Sequence, residues 1–374
     1  PNLPALDRAA AAGVPIASEV ELASWFIEAR VIGITGTNGK STVTTLVGRM
    51  CEASGKPTFV GGNLGTPFVD VVGTEAAGPS GYVVVELSSY QLERVSRLRV
   101  NVGCLLNVTE DHLDRYPSFQ AYADAKANLW KCQRPEDAAV VPEGDELCLS
   151  LARRGPAQIH LYGGATSDVR VENGMIVDAE RGPLLPVSEL RIAGEHNVQN
   201  ACAAALCARL AGVDHEVIAT VLRTFAGLPH RMAFVADLDG VRYYDDSKAT
   251  NVGATVAALE GLAPQAERIV LIAGGKDKGG DYAPMRDRLR GCARGVVLIG
   301  EATPIIERAL AGESYPVVRA GSMEDAVARC RELAEPQDAV LLAPACASFD
   351  MFRSYAHRGD VFQDAVRALQ NRGA

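Results

Sequence analysis

A chain of 374 residues, 48% hydrophobic and 22% charged, has the composition of an ordinary globular protein and the length for two or three domains. A formal charge of −9 disfavours a general binder of nucleic acid or membrane surfaces. The nine cysteines are scattered without a C-x-x-C pair, which argues for reduced thiols in a cytoplasmic setting and against a disulfide framework or zinc site. No apolar run reaches the ~18 residues that cross a bilayer.

In chain order, residues 4–12 and 19–28 read as helices on either side of the turn Gly13-Val14-Pro15 and carry no chemistry by themselves. Residues 31–47, VIGITGTNGKSTVTTLV, then combine a short buried strand, the Gly-rich turn Gly36-Thr37-Asn38-Gly39 and the start of a helix at Lys40-Ser41-Thr42. A strand, Gly loop, Lys-Ser/Thr and helix in that order build a phosphate cradle. Backbone N–H groups point at the anion, lysine adds charge, and a hydroxyl reaches Mg²⁺. The pattern G-x-x-x-x-G-K-[ST] is not met strictly, since Ile34 stands in place of its first glycine.

Further strands are expected at 82–87, 102–107 and 138–141, with a helix over 119–132. Asn173-Gly174 marks a hairpin in a small antiparallel insert, followed by helices over 195–211 and 214–225. This rhythm predicts a mostly parallel sheet covered by helices. Gly227-Leu228-Pro229 is a break and a natural hinge. Beyond it a hairpin about Asp239-Gly240 and strands at 268–273, 295–299, 316–319 and 339–342 predict a second, smaller doubly wound unit. The expected fold is thus α/β: a central P-loop-type ATPase domain over 29–226, then a Rossmann-like domain over 227–374, with 1–28 as a linker.

Several side chains stand where chemistry is done. Glu86 ends a strand whose carboxyl end opens on the crevice of an open sheet, and beside a phosphate loop a carboxylate suits Mg²⁺. His112 is a candidate second metal ligand, with Asp111 and Asp114 as competitors. Lys126 by itself reads as a surface lysine. Asn197 and Asn200 share a helix face and suit either a capping network or a base or sugar. His230-Arg231 lies at the domain break, where arginine suits phosphate. The segment Asp245-Asp246-Ser247-Lys248-Ala249-Thr250-Asn251 is over-supplied with charge for a capping loop. Lys278 follows a strand and a Gly pair, and residues 344–350 lead from the last strand toward a helix. Cys346 lacks an activating histidine nearby and is not read as a nucleophile.

TGTNGKST, GGNLG, VELSSYQLE, NVTEDHLDRY, GEHNVQNA, GLPHR, DDSKATN and PACASFD, in this order over residues 15–374, resemble the Mur ligases, ATP-dependent amide-forming enzymes of peptidoglycan precursor synthesis. VELSSYQLE, DSKATN and the serine in PACASFD point to the branch that adds D-glutamate to UDP-N-acetylmuramoyl-L-alanine, and no Asn-Pro-Arg motif of the meso-diaminopimelate branch is present. The resemblance implies a three-domain enzyme whose last two domains are here, residues 1–28 being the tail of a front domain that grips the uridine nucleotide. It implies that Thr37, Asn38, Gly39, Lys40, Ser41, Thr42, Asn200, Arg231 and Asp246 bind ATP. Two Mg²⁺ ions would be held by Ser41, Thr42, Glu86, His112 and Lys126, the lysine carbamylated. Asn63, Asn197, His230, Thr250, Lys278, Ser348 and Tyr355 would meet the muramoyl substrate or D-glutamate, with Tyr355 standing where the family carries phenylalanine. Lys40, His112, Lys126 and Lys248 would be catalytic. The expected partners are these small molecules, with no nucleic acid and no membrane, and the expected state is a cytoplasmic monomer. Two rival readings are a folylpolyglutamate-type synthetase and a non-catalytic nucleotide-binding regulator; ELSSYQLE argues against the first and the presence of Glu86, His112 and Lys126 against the second. A dinucleotide-dependent dehydrogenase fails on the loop, which carries Gly-Lys-Ser in place of G-x-G-x-x-G.

Overall fold

A computed structural model describes residues 4–111, 115–192 and 194–372. Its contacts divide the chain into two compact units. One is formed by Pro1–Val108, Ser118–Arg191 and Asn197–Phe225, the other by Thr109–Pro117, Ile192–His196 and Ala226–Ala374.

The first unit is built on nine strands: β1 (Arg30–Thr35), β2 (Thr58–Gly62), β3 (Tyr82–Glu86), β4 (Val102–Leu105), β5 (Ala138–Pro142), β6 (Gln158–Tyr162), β7 (Val169–Glu172), β8 (Met175–Asp178) and β9 (Gly182–Pro186). Their order is β2-β3-β1-β4-β5-β6-β7-β8-β9. Neighbours from β2 to β7 run parallel, and β7, β8 and β9 are antiparallel. The strands around β1 are buried along almost their whole length, as parallel strands covered on both faces must be, so they read as continuous apolar runs. The antiparallel hairpin expected about Asn173-Gly174 forms from β7 and β8, and with β9 it extends the same sheet.

From β1 the chain goes first to β2 and β3 on one side, then crosses to β4 and beyond on the other. The carboxyl end of β1 is therefore the switch point where open α/β sheets hold ligands. Helix Lys40–Ala53 leaves from there. Helix Glu195–Ala211, 17 residues and about 25 Å long at 1.5 Å per residue, is pinned at its far end. There Arg30 Nη1 and the Tyr82 hydroxyl donate to the Ala211 carbonyl at 2.9 and 3.0 Å, satisfying an acceptor that the helix leaves over. The same helix sets Asn200 beside Gly39, so its register is fixed where the phosphate loop needs it.

The second unit has six strands: β10 (Ala233–Leu238), β11 (Val241–Asp245), β12 (Ile269–Gly274), β13 (Ala293–Ile299), β14 (Val317–Arg319) and β15 (Ala339–Leu342), ordered β10-β11-β15-β12-β13-β14. All pairs are parallel except the β10–β11 hairpin, whose turn residues Asp239 and Gly240 both have positive φ (51° and 80°), the geometry a two-residue turn demands. Separate apolar clusters cover the two faces, one around Leu259, Leu271 and Leu341, the other around Ile272, Val327 and Phe362. Asp245 pairs with Leu342 and Leu342 with Ile272, so the loops after β11, β15 and β12 leave the sheet at one level.

Candidate active site

In the first unit the loop after β1 has the shape its sequence predicts. Gly36 and Gly39 take φ of 147° and 84°, and a Cβ on Gly39 would lie 2.4 Å from Asn200 Oδ1, so both backbone and space require glycine there. Lys40 opens the helix, and its Nζ donates to the carbonyls of Gly36 and Thr37 at 2.9 and 2.8 Å. The Thr37 hydroxyl meets the Tyr122 hydroxyl at 3.1 Å. Ser41 and Thr42 are buried in the first turn. Asn197 and Asn200 do share a face: Asn200 Nδ2 donates to Asn197 Oδ1 at 3.2 Å.

Glu86 and Lys126, which taken singly read as solvent-facing, are 2% and 1% exposed. Asn63 Nδ2 donates to Glu86 Oε1 at 2.7 Å, and the Asn63 N–H to the Glu86 carbonyl at 2.8 Å. Glu86 Oε2 is left buried with no hydrogen-bond partner. A buried carboxylate oxygen without a donor is costly, and a hard divalent cation such as Mg²⁺ would satisfy it. The Lys126 Nζ donates to the Gly36 carbonyl at 2.8 Å and lies 4.5 Å from the centre of the Tyr122 ring. Two ammonium groups thus converge on one loop carbonyl. His112 and Asp114 lie outside the described residues, and among those described no group of three His, Cys, Asp or Glu side chains gathers as a metal cage. Asp111 is engaged by Lys278 Nζ at 3.3 Å and Asn251 Nδ2 at 3.2 Å.

In the second unit the loop after β11 gathers most of the other candidates. His230, 8% exposed and at φ 59°, pairs through Nδ1 with Asp245 Oδ2 at 2.7 Å. Asp246 accepts the Met232 N–H at 3.3 Å. Burial pushes its carboxyl up to about 7, aided by Asp245, while the charge of Arg231 and the Met232 N–H act the other way. The Lys248 Nζ sits 4.0 Å from the centre of the Tyr355 ring, a cation held against an aromatic face. Ser348 is 2% exposed, whereas Thr250 and Lys278 are half-buried. The PACASFD segment does not run straight into a helix, which begins only at Tyr355. Burial pushes the Cys346 thiol up to about 11, in keeping with an unreactive side chain.

Two positioning residues escaped the sequence reading, and a third was read only as part of a charged loop. The Asn107 side chain clamps the phosphate loop: Oδ1 accepts the Asn38 N–H at 2.9 Å and Nδ2 donates to the Asn38 carbonyl at 3.1 Å. The Asn107 carbonyl takes the Thr37 N–H at 3.0 Å. Arg358, fully buried, donates to the Ser247 hydroxyl, the Ser247 carbonyl and the Cys346 carbonyl at 2.9, 2.8 and 3.1 Å, tying the loop after β11 to the loop after β15. The third is Asp245, named in the sequence within the charged loop but without its role of holding His230. An asparagine just past a strand and an acid doubled with its neighbour were the available signals, but their partners are set by tertiary contacts that spacing does not reveal.

Two families match the chain: "Mur ligase middle domain" over residues 34–208 and "Mur ligase, glutamate ligase domain" over residues 230–346. The chain is 44% identical to the UDP-N-acetylmuramoylalanine--D-glutamate ligase of Trichlorobacter lovleyi over 98% of its own length and 82% of the relative's. It is 43% identical to that of Solibacter usitatus, over 99% and 83%. Among solved structures it resembles MurF of Thermotoga maritima in complex with ADP (TM-score 0.71, 17% identity, 95% of this chain and 84% of that one). E. coli FolC in complex with ADP is similar too (TM-score 0.68, 18% identity, 94% of each chain). At such identities these two report the fold alone. The fold and the length over which the sequence matches agree: this chain belongs to the UDP-N-acetylmuramoylalanine--D-glutamate ligases of the Mur ligase family.

Proposed function

We propose that the chain uses ATP to join the amine of D-glutamate to the carboxylate of UDP-N-acetylmuramoyl-L-alanine through an acyl phosphate, in the cytoplasm, where its nine free cysteines stay reduced. The observation that carries this reading is the 44% identity over 98% of the chain with a ligase of that name. The site chemistry supports it. A carboxylate must attack the γ-phosphate although both are anionic, so the reaction needs fixed positive charge and donors at the phosphoryl group. The N–H groups of the loop and first helical turn, with Lys40, cradle the phosphates. Lys40 now rests on two neutral carbonyls, which a phosphate outcompetes as an acceptor. Arg231 and Asp246 hold the rest of the nucleotide, with Asn200 closing the loop. Glu86 and the Ser41 and Thr42 hydroxyls would hold Mg²⁺, which would supply positive charge against the phosphoryl oxygens. His112 and Lys126, the lysine carbamylated, would hold a second Mg²⁺. His230, Lys248, Thr250, Lys278, Ser348 and Tyr355 bind D-glutamate, and Asn63 and Asn197 lie on the muramoyl and ATP side. The folylpolyglutamate alternative is not favoured, because likeness to FolC stops at the fold.

The deciding experiment is ADP release in the presence of UDP-N-acetylmuramoyl-L-alanine, comparing D-glutamate with L-glutamate, L-alanine and meso-diaminopimelate. Turnover is expected with D-glutamate alone and is expected to vanish in Lys40→Ala with the circular dichroism spectrum unchanged. Equal turnover with another amino acid would overturn the substrate, and wild-type turnover in Lys40→Ala the nucleotide site.

A further inference from the structure

His230 has features that binding a substrate does not by itself explain. Its backbone sits at φ 59°, a left-handed conformation that a side chain with a Cβ adopts at a cost. Its ring is packed so closely that a Cβ on Gly359 would fall 2.1 Å from His230 Nδ1 and 2.7 Å from Asp245 Oδ2. The carboxylate it meets, Asp245, is fully buried.

The direction of every hydrogen bond around that carboxylate follows from groups that can only donate. The Ser247 N–H donates to Asp245 Oδ1 at 2.9 Å. Arg367 Nη2, which has no acceptor character, donates to Gln363 Oε1 at 3.1 Å and so fixes which end of that amide is oxygen. The amide nitrogen of Gln363 then faces Asp245 Oδ2 and donates to it at 2.8 Å. Both oxygens of Asp245 are accepting, so the contact of Oδ2 with His230 Nδ1 at 2.7 Å carries its proton on the ring.

We infer that Asp245 is a positioning residue for His230: with Gln363 and Ser247 it holds the imidazole with Nδ1 protonated, leaving Nε2 as the only ring atom that exchanges a proton or accepts from a ligand. This deepens the proposed function and rests on its placing of His230 against D-glutamate. The charged and titratable groups around the ring agree with a division of labour between its nitrogens. Asp245 lies on the Nδ1 side, and the buried Arg358 holds the neighbouring Ser247. Among the described residues Nε2 is met by the exposed Asp360, 3.6 Å away, with the Tyr355 ring edge-on at 6.4 Å between centres and the Lys248 Nζ against that ring. The lone pair or proton at Nε2 is therefore the one a substrate meets. A second carboxylate oxygen on the Nδ1 side serves Ser247, so ring orientation and the course of the loop through Lys248 are set together.

The test is two-bond ¹H–¹⁵N correlation of the ¹⁵N-histidine-labelled chain above the titration of its ring, with the His230 signals assigned by their loss in His230→Asn. The wild-type ring is expected with Nδ1 protonated, opposite to the preference of a free histidine side chain, and Asp245→Ala is expected to shift it toward the Nε2-protonated form. In the same variant KM for D-glutamate should rise about tenfold or more, the worth of one charge-assisted hydrogen bond, and more than KM for ATP. An Nε2-protonated ring in the wild type, or an unchanged KM for D-glutamate in Asp245→Ala, overturns the inference. The wild-type spectrum decides even where the variant does not fold. A wild-type chain that turns over no D-glutamate would sink the functional reading alone, because the tautomer would still be read.

Discussion

At the scale of single residues, Lys126 shows how a side chain changes meaning once its surroundings are known. In the sequence it is one of seven lysines and falls in an expected helix, where a solvent-facing side chain is the ordinary reading. In the fold it is 1% exposed, with Nζ on the Gly36 carbonyl and against the Tyr122 ring. An ammonium there shares the Gly36 carbonyl with the ammonium of Lys40, and under the proposed reading it would repel Mg²⁺. Addition of CO₂ turns the charge from positive to negative and supplies two hard oxygens suited to Mg²⁺. Lys126→Ala is therefore expected to lose most activity, and short carboxylates added to the ADP-release assay are expected to restore part of it. Activity near wild type in the variant would reduce Lys126 to a packing residue. Asn107 is the converse case. Its bidentate hold on Asn38 is as specific as any contact in the loop, but the sequence offers only an asparagine after a strand. Glycines and lysines of a phosphate loop are legible because their backbone and charge requirements are local; a clamp that reaches across from another strand is not.

At the scale of elements, legibility follows burial. Strands β1, β3 and β4 are covered on both faces and read as apolar runs, so they and the Gly loop after β1 stand out in the sequence. β2 ends in two glycines at one sheet edge, and β9 is bounded by a glycine and two prolines at the other, the residue types that edges tolerate and that erase a strand signal. β6, with Gln and His among its five residues, lacks the pattern as well. The helix expected over 119–132 gives way to a tighter turn at Asn128–Trp130, which seats the Trp130 indole to donate to the Gly103 carbonyl at 3.1 Å. Helix Glu19–Ser24 carries a further device. Its Glu21 carboxylate, 1% exposed, accepts from the N–H groups of Ser96, Arg97 and Leu98 at 2.9, 3.1 and 3.2 Å, the Ser96 hydroxyl at 2.8 Å and the Trp25 indole at 3.1 Å. Burial pushes the carboxyl up, but the hydrogen bonds from Ser96, Arg97 and Trp25 outweigh it and hold it down at about 2, against 4.5 unperturbed. Glu21→Gln places an amide among these donors and is expected to cost about 2 kcal/mol at neutral pH, as loss of hydrogen bonds to a buried charge does. The check is urea unfolding of wild type and variant from pH 7 to pH 2, where equal stability at neutral pH would refute it.

At the scale of the whole molecule, the two units respond to acid in opposite senses. In the first unit the folded pKa of Glu21 lies below its unfolded value, so its contribution to stability is present above about 4.5 and fades as pH falls toward about 2. In the second unit Asp246 is raised from 3.8 to about 7, chiefly by burial. The folded state then binds a proton that the unfolded state has released, so this contribution is present below 3.8 and is lost as pH rises through about 7. The cost is borne because Asp246 stands at the proposed nucleotide site, where fitness for a ligand and for the unliganded fold differ. Between pH 7 and pH 5 the first unit gains or loses nothing through Glu21, while the second is stabilised as Asp246 takes up its proton. Amide exchange of the ligand-free chain, corrected for intrinsic rates, should therefore show β11 and β12 better protected at pH 5 than at pH 7, with β1 and β3 unchanged. Asp246→Asn cannot titrate and should hold the higher protection of β11 and β12 at both values. If that variant keeps the wild-type pH dependence, another group in the second unit is responsible and the raised pKa of Asp246 is not the cause.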